Sequence, residues 1–313
     1  MADYYAFSGI DDATEKTKGF LWPFKWSVWW RIAVISLFTG GFGGFNFPYS
    51  SNNYTNSIDS SQLAAGFSGM SGLIEILLWL ILAIILVVIV FTFLSCVFQF
   101  VFVRCLSENK FMLRKNFAEN IGNGLRLFGF WIVLIAVTIM AVAVFFVLLL
   151  SAGGLFQAPN VLAIVPGIIL FLLVLLIIGI IGIFTTDFVV PVMLKDNCGI
   201  IEGWKKCWGI LKSSPSQSLV YLVMRIIIAI ALAIILMLFA IVVVLAIGLP
   251  LLALFYLSGL GLGFSPLHIT LLVIFLVIAI PVLLIISVPF NTFLRVYSLS
   301  VLGKMNPDYK MLE

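Results

Sequence analysis

Charge is scarce in this chain. Asp, Glu, Lys and Arg make up 10% of 313 residues, where a soluble domain carries roughly 25%. Hydrophobic residues make up 63%, and mean hydropathy is +1.26. Polar groups this few cannot cover a water-facing surface, so the solvent must be a bilayer. Histidine is scarcer still. The single His268 rules out HExxH and most zinc sites. The four cysteines show no CxxC spacing, so free thiols are expected and no metal centre. Neither GxxxxGK[ST] nor GxSxG occurs, which removes the usual phosphate cradle and the strained serine elbow. These absences lead us to expect no catalytic residue, no cofactor and no enzyme activity. The N-terminal stretch has no basic region leading into a short apolar core, so no cleaved signal is expected and the first span should serve for targeting.

One further absence orients the chain. Segments 45–71, 151–161 and 249–267 contain no Lys or Arg. All 17 basic residues lie in the head, in the two alternate connections and in the tail. Basic residues are retained on the cytoplasmic side during insertion. The expectation is therefore a multi-pass protein of the cell membrane with both termini cytoplasmic. The inner face carries an excess of positive charge suited to anionic headgroups. Thin spreading of that charge among Trp and Phe does not make a nucleic-acid footprint.

Apolar runs long enough to cross about 30 Å of hydrocarbon fall at 28–44, 73–104, 128–150, 162–194, 218–248 and 268–302. They predict an all-α, six-span transmembrane helix bundle forming one domain over 1–313. Pro281 and Pro289 should kink or interrupt the sixth span. The glycines Gly40, Gly41, Gly43 and Gly44 suggest close packing or a chain reversal after the first. The apolar segment 249–267 reads as a loop, an interfacial stretch or a re-entrant one. Asn53-Tyr54-Thr55 is a possible glycosylation acceptor in the long polar loop 45–71.

Two short amphipathic helices, at 9–26 and 199–212, are predicted to lie in the membrane plane. The second places Ile200, Trp204, Cys207, Trp208 and Leu211 at helical spacing, with Lys205, Lys206 and Lys212 elsewhere. Trp22, Trp26, Trp29 and Trp30 belong to the same inner aromatic belt. Membrane lipids are the expected partners, together with a membrane or cytoplasmic protein whose identity leaves no trace here.

The inner ends of the even spans resemble one another. Gln99–Leu106 aligns with Asp187–Leu194 and, more loosely, with Arg295–Leu302; Gly9–Gly19 likewise echoes Gly199–Gly209. Either an internal repeat or the chance likeness of apolar helices with polar ends accounts for this. The alignment sets Gln99, Asp187 and Arg295 at one depth. A lone intramembrane carboxylate costs about 2.5–3.5 kcal/mol or more, so Asp187 is expected to pair with Arg295, Arg225 or Arg104. Arg31 and Arg225 also read as snorkelling toward inner headgroups. The polar set Gln99, Asp187, Arg225 and Arg295 admits two readings, a structural pair that sets helix packing or an ion or solute site.

The head, Asp11-Asp12-Ala-Thr-Glu-Lys-Thr-Lys-Gly-Phe-Leu-Trp-Pro23-Phe, is followed by Trp29-Trp30-Arg31 and by Gly40-Gly-Phe-Gly-Gly-Phe-Asn46-Phe-Pro48. With these the chain resembles an uncharacterised archaeal family of six-span integral membrane proteins. More loosely, it is similar to the membrane domain accompanying glycerophosphodiester phosphodiesterases and to bacterial six-span proteins of unknown role. The resemblance implies a prokaryotic cell membrane and a six-helix bundle, and transfers neither site residues nor the phosphodiesterase activity. On this reading the protein is a non-catalytic scaffold, regulator or lipid-interacting protein; the alternative is a small-solute or ion transporter or channel built around Asp187.

Overall fold

The computed structural model describes residues 4–39, 71–151, 161–257 and 266–312. Among these residues every regular element is helical. In chain order they are α1 (Tyr5–Leu21), α2 (Trp26–Thr39), α3 (Ser71–Glu108), α4 (Leu113–Ser151) and α5 (Val161–Phe184). A π-helical turn (Thr185–Val189) then leads into α6 (Val190–Asp196), followed by α7 (Ile200–Ser213), α8 (Pro215–Leu257), α9 (Pro266–Met305) and a 3-10 turn at Pro307–Tyr309.

Five of these stretches are long and apolar enough to cross a membrane, with mean hydropathy of 3.0–3.5 in their most apolar windows: Glu75–Glu108, Leu113–Leu148, Val165–Asp196, Pro215–Ala253 and Thr270–Met305. They mark the chain as a multi-pass membrane protein. The stretch 28–44 appears as the 14-residue α2, which ends at Thr39; the glycine cluster beyond it, Asn53, and Gly259 and Gly263 lie outside the described residues.

Four boundaries differ from expectation. α4 begins at Leu113 rather than near 128, because its polar first turns pack on α3 and continue the helix out of the apolar zone. α8 runs through Pro250 to Leu257, so the first part of 249–267 is helix. α9 continues as helix through Pro281 and Pro289 rather than being interrupted; each proline removes one ladder bond, which transmembrane helices tolerate. α1 spans Tyr5–Leu21 rather than 9–26, and a short non-helical link precedes α2 at Trp26.

Among the described residues, burial is concentrated at one end of the bundle. From Glu75 to Val90 every residue of α3 is exposed, while Cys96–Val103 are all buried. The same holds for Asp187–Met193 and for Arg295–Leu299, which with Ile32, Leu127 and Tyr221 form the core. A helix apolar on all sides and this widely exposed is stable only where lipid surrounds it. The core therefore sits where the C-terminal ends of α3, α6 and α9 converge.

Each of these three ends is covered by another helix, and the contacts repeat. A Cβ added at Gly203 of α7 would lie 2.8 Å from Met193 and 3.1 Å from Val189. One added at Gly9 of α1 would lie 2.8 Å from Val301 and 3.4 Å from Tyr297. Val189 and Tyr297 follow Asp187 and Arg295 by the same offset, as do Met193 and Val301. The counterpart of Gly9 is thus Gly203, one helical turn beyond the Gly199 suggested by the sequence echo. On the third end, Asn116 of α4 donates from Nδ2 to Cys105 Sγ (3.4 Å), and Gly124 lies against Val97. Asn109 and Asn197, just past α3 and α6, both adopt left-handed backbone (φ 49° and 48°), which asparagine tolerates better than most residues. Asn306, past α9, departs from the pattern: it is extended and caps the 3-10 turn by accepting from the Asp308 N–H (3.0 Å).

Candidate functional site

The π-helical turn creates the site. Pro191 has no N–H, so the carbonyl four residues earlier, that of Asp187, loses its usual helical donor. Around it the ladder widens, with the Val190 N–H bonding to Thr185 O. Such one-turn π segments recur at functional sites because they redirect side chains and release backbone carbonyls. Here the released carbonyl is that of Thr186, and it accepts from Arg295 Nη1. Asp187 is carried on the same turn into the core, at 3% exposure.

Three elements meet the carboxylate. Asp187 Oδ2 accepts from Tyr221 Oη and from Arg225 Nε of α8, both at 2.8 Å. Its Oδ1 lies 3.9 Å from Arg295 Nη1 of α9, an ionic contact too long to be a hydrogen bond. Arg295 spends its two terminal nitrogens on neutral carbonyls, Nη1 on Thr186 O and Nη2 on Gln99 O at 3.2 Å. Its buried Nε has no partner, nor has Gln99 Oε1. One carboxylate therefore faces two guanidiniums, and a positive charge is left in excess. Stacked rings wall the cluster on one side, Phe188 on Tyr221 (4.7 Å between centroids) and Tyr221 on Tyr297 (5.7 Å). On the other side is a cavity of about 140 Å³, lined by Gln99, Thr186, Asp187, Arg225, Asn291 and Arg295 among others.

All four residues of the anticipated polar set thus meet at one place. Of the three arginines open to Asp187, Arg225 makes the close pair and Arg295 the longer contact. Arg104 turns instead to Glu108 (2.8 Å) and Glu119 (2.5 Å). The Arg225 guanidinium is turned to Asp187. Arg31 donates to Phe111 O at 2.9 Å. Sequence reading missed Tyr221 and Asn291. Each stands four residues before an arginine of the cluster, which puts it on the same helix face, and that spacing was the available signal.

A second polar cavity, about 420 Å³, lies at the α3 and α6 ends between Arg104, Glu108, Glu119, Asn120, Asn123 and Asn197. Nearby, the tail folds back: Tyr309 Oη donates to Asp196 Oδ2 at 2.8 Å, which Lys206 Nζ also contacts at 2.8 Å. Burial and this bond push the Tyr309 hydroxyl up to about 12. Hydrogen bonds from Lys206 to Asp196 and Glu202 raise its ammonium above the ordinary lysine value. Lys304 ties α9 to α1 through Asp12 (2.7 Å), and Lys16 reaches Leu312 O (2.9 Å).

The residues expected at the membrane interface divide in two. Cys207 and Leu211, with Gly203 and Ile210 beside them, turn into the core, and burial alone pushes the Cys207 thiol up to about 12. Ile201 and Trp208 are exposed. With Phe130, Ile200, Trp204 and Lys205 they line an open apolar groove of about 420 Å³. Trp204 Nε1 is buried and unpartnered. Trp22, Trp26 and Trp30 are exposed as well, whereas Trp29 turns its Nε1 to Leu21 O (3.2 Å). Trp22 shares a second groove with Thr17, Lys18, Leu21 and Pro289. Among the described residues, no group of three His, Cys, Asp or Glu side chains is placed to hold a metal.

The family model that matches runs over residues 4–312 and is described as a family of unknown function, DUF7544. The chain belongs to that family. No curated protein and no solved structure matches it. Membership covers nearly the whole chain, so the polar cluster, the covering helices and the folded-back tail all belong to the family's domain.

Proposed function

We propose that this is a non-catalytic, six-span protein of a prokaryotic, archaeal-type cell membrane, with both termini cytoplasmic, whose α1 and α7 engage the inner headgroup layer. It acts there as a lipid-interacting scaffold or regulator. The observation that carries this reading is the groove on α7. Exposed Ile201 and Trp208 stand beside Lys205, an apolar surface with an adjacent cation that suits acyl chains and an anionic headgroup. The Trp22–Lys18 groove on α1 supports the same engagement. In nanodiscs, brominated lipids should quench the tryptophan fluorescence, and Trp208→Phe should lower the quenched fraction by the share Trp208 contributes; a quenched fraction that Trp208→Phe leaves unchanged would defeat the reading. Orientation is tested by labelling. A thiol introduced between 50 and 60 should react from outside intact cells and one between 115 and 120 should not.

A second reading, a small-solute or ion transporter, is favoured by one observation, the polar cavity beside Asp187, Arg225 and Arg295. Its test is flux in liposomes, which Asp187→Asn should abolish without preventing folding.

A further inference from the structure

We infer that the cavity between α3, the π-helical turn, α8 and α9 is a binding site for an oxyanion, a phosphate-type group carrying about one negative charge. This deepens the second reading by naming the class of ligand, and rests on it only for the location of the site, not for any flux.

The charge count is the first support. Among the described residues, Asp187 is the one carboxylate lining the cavity, and Arg225 and Arg295 are both there. Arg225 is matched with Asp187 at 2.8 Å, whereas Arg295 has only neutral carbonyls and a carboxylate oxygen 3.9 Å away. A guanidinium in a low-dielectric setting without a close counter-ion is costly. One bound anion removes that excess.

Unsatisfied hydrogen bonding is the second. Arg295 lines the cavity at 7% exposure; its Nε, a fixed donor, has no acceptor and is itself sealed from the space, so a turn of the guanidinium is needed to present it to an anion. Arginine's fork of donors suits oxyanions better than a point charge does. Asn291 and Gln99 add amide groups to the same walls, and which way a terminal amide points adapts to what it meets.

Size is the third. A partly open space of about 140 Å³ has room for several waters or for a single tetrahedral oxyanion. The shared chemistry is the phosphate oxyanion, whether free or borne by a lipid headgroup whose chains remain in the bilayer.

The test is a charge series on full-length protein. Thermal midpoints in lipid-free detergent are measured against inorganic phosphate, with gluconate keeping ionic strength constant. In parallel, nanodiscs of phosphatidylcholine alone are compared with nanodiscs containing one-third phosphatidylglycerol. Asp187→Asn keeps an acceptor for Tyr221 and Arg225 but removes the competing negative charge, so it should bind phosphate at least tenfold more tightly than wild type. Arg295→Gln should bind at least tenfold more weakly. Asn291→Leu fills the cavity from its rim, should also weaken binding, and keeps the series decisive should Arg295→Gln fail to fold. Stabilisation by free phosphate identifies a soluble anion, and stabilisation by phosphatidylglycerol alone identifies a headgroup; either supports the site. No stabilisation by either, or equal affinity in wild type, Asp187→Asn and Asn291→Leu, overturns it. Because binding is read without transport, saturable binding with no flux leaves the anion site standing and removes only the transporter reading.

Discussion

Replacing Asp187 by alanine should be among the most damaging single substitutions in this protein. The carboxylate is 3% exposed and meets Arg225 at 2.8 Å and Arg295 at 3.9 Å. With an effective dielectric of about 20, those separations correspond to attractions of about 6 and 4 kcal/mol. Desolvation of the three charges offsets most of that in the intact protein. The variant recovers none of the offset for the arginines, which stay buried with side-chain exposures of 17% and 8%. Tyr221 Oη also loses its acceptor. Removing one partner of a buried pair typically costs about 3–5 kcal/mol, a large part of the usual 5–15 kcal/mol of stability. Unfolding in mixed micelles of increasing SDS content would measure it, with Arg225→Ala and the double variant completing a cycle. The double variant should be more stable than the sum of the single losses implies, by about 1 kcal/mol or more. A loss below about 1 kcal/mol for Asp187→Ala, or strict additivity, would show that the cluster does not hold these helices together.

Gly124→Ala should destabilise by about 1–3 kcal/mol through overpacking, because its Cβ would press on Val97, including the backbone Cα at 3.0 Å. Gly122→Ala, with nothing within 4 Å, should gain up to about 1 kcal/mol of helix propensity instead; SDS unfolding of the pair separates packing from propensity. Cys207, fully buried with its thiol held up near 12, should resist alkylation at pH 8 until the protein is unfolded, as intact mass would show. The Tyr309 hydroxyl, raised from an ordinary 10.0 to about 12, keeps its proton longer when folded than when unfolded. Its contribution is therefore complete below about pH 10 and is lost as pH rises toward 12. The ultraviolet difference between wild type and Tyr309→Phe should titrate near 12, and a midpoint near 10 would mean the tail is not docked on Asp196.

Much of the candidate site was legible because intramembrane charges are few. With Asp187 the one carboxylate in these apolar ends, the choice of partner narrowed to three arginines by cost alone, and Gln99, Asp187 and Arg295 come together because the C-terminal ends of α3, α6 and α9 share a pattern. Selection among those arginines was not legible. It depends on the π-helical turn and on the rotation of α8, which bring Arg225 to Asp187 while Glu108 and Glu119 hold Arg104. The start of α4 at Leu113 was hidden for a related reason: hydropathy marks where a helix enters lipid, not where its hydrogen-bonded ladder begins.

The amino-acid sequence by itself determined that this chain lives in a membrane as helices, because apolar runs of that length can satisfy their backbone in lipid in no other open form. Through scarcity, it also singled out the residues whose charge had to be matched. Only the tertiary structure decided that the helices bury their side chains mainly at one end, and that α1, from the far end of the chain, packs on the C-terminal part of α9. It also left Arg295 beside a polar cavity without a close counter-ion. Those outcomes depend on side-chain fit between segments far apart in the chain, such as Gly9 against Val301, and no local pattern encodes which distant surface a small residue will meet.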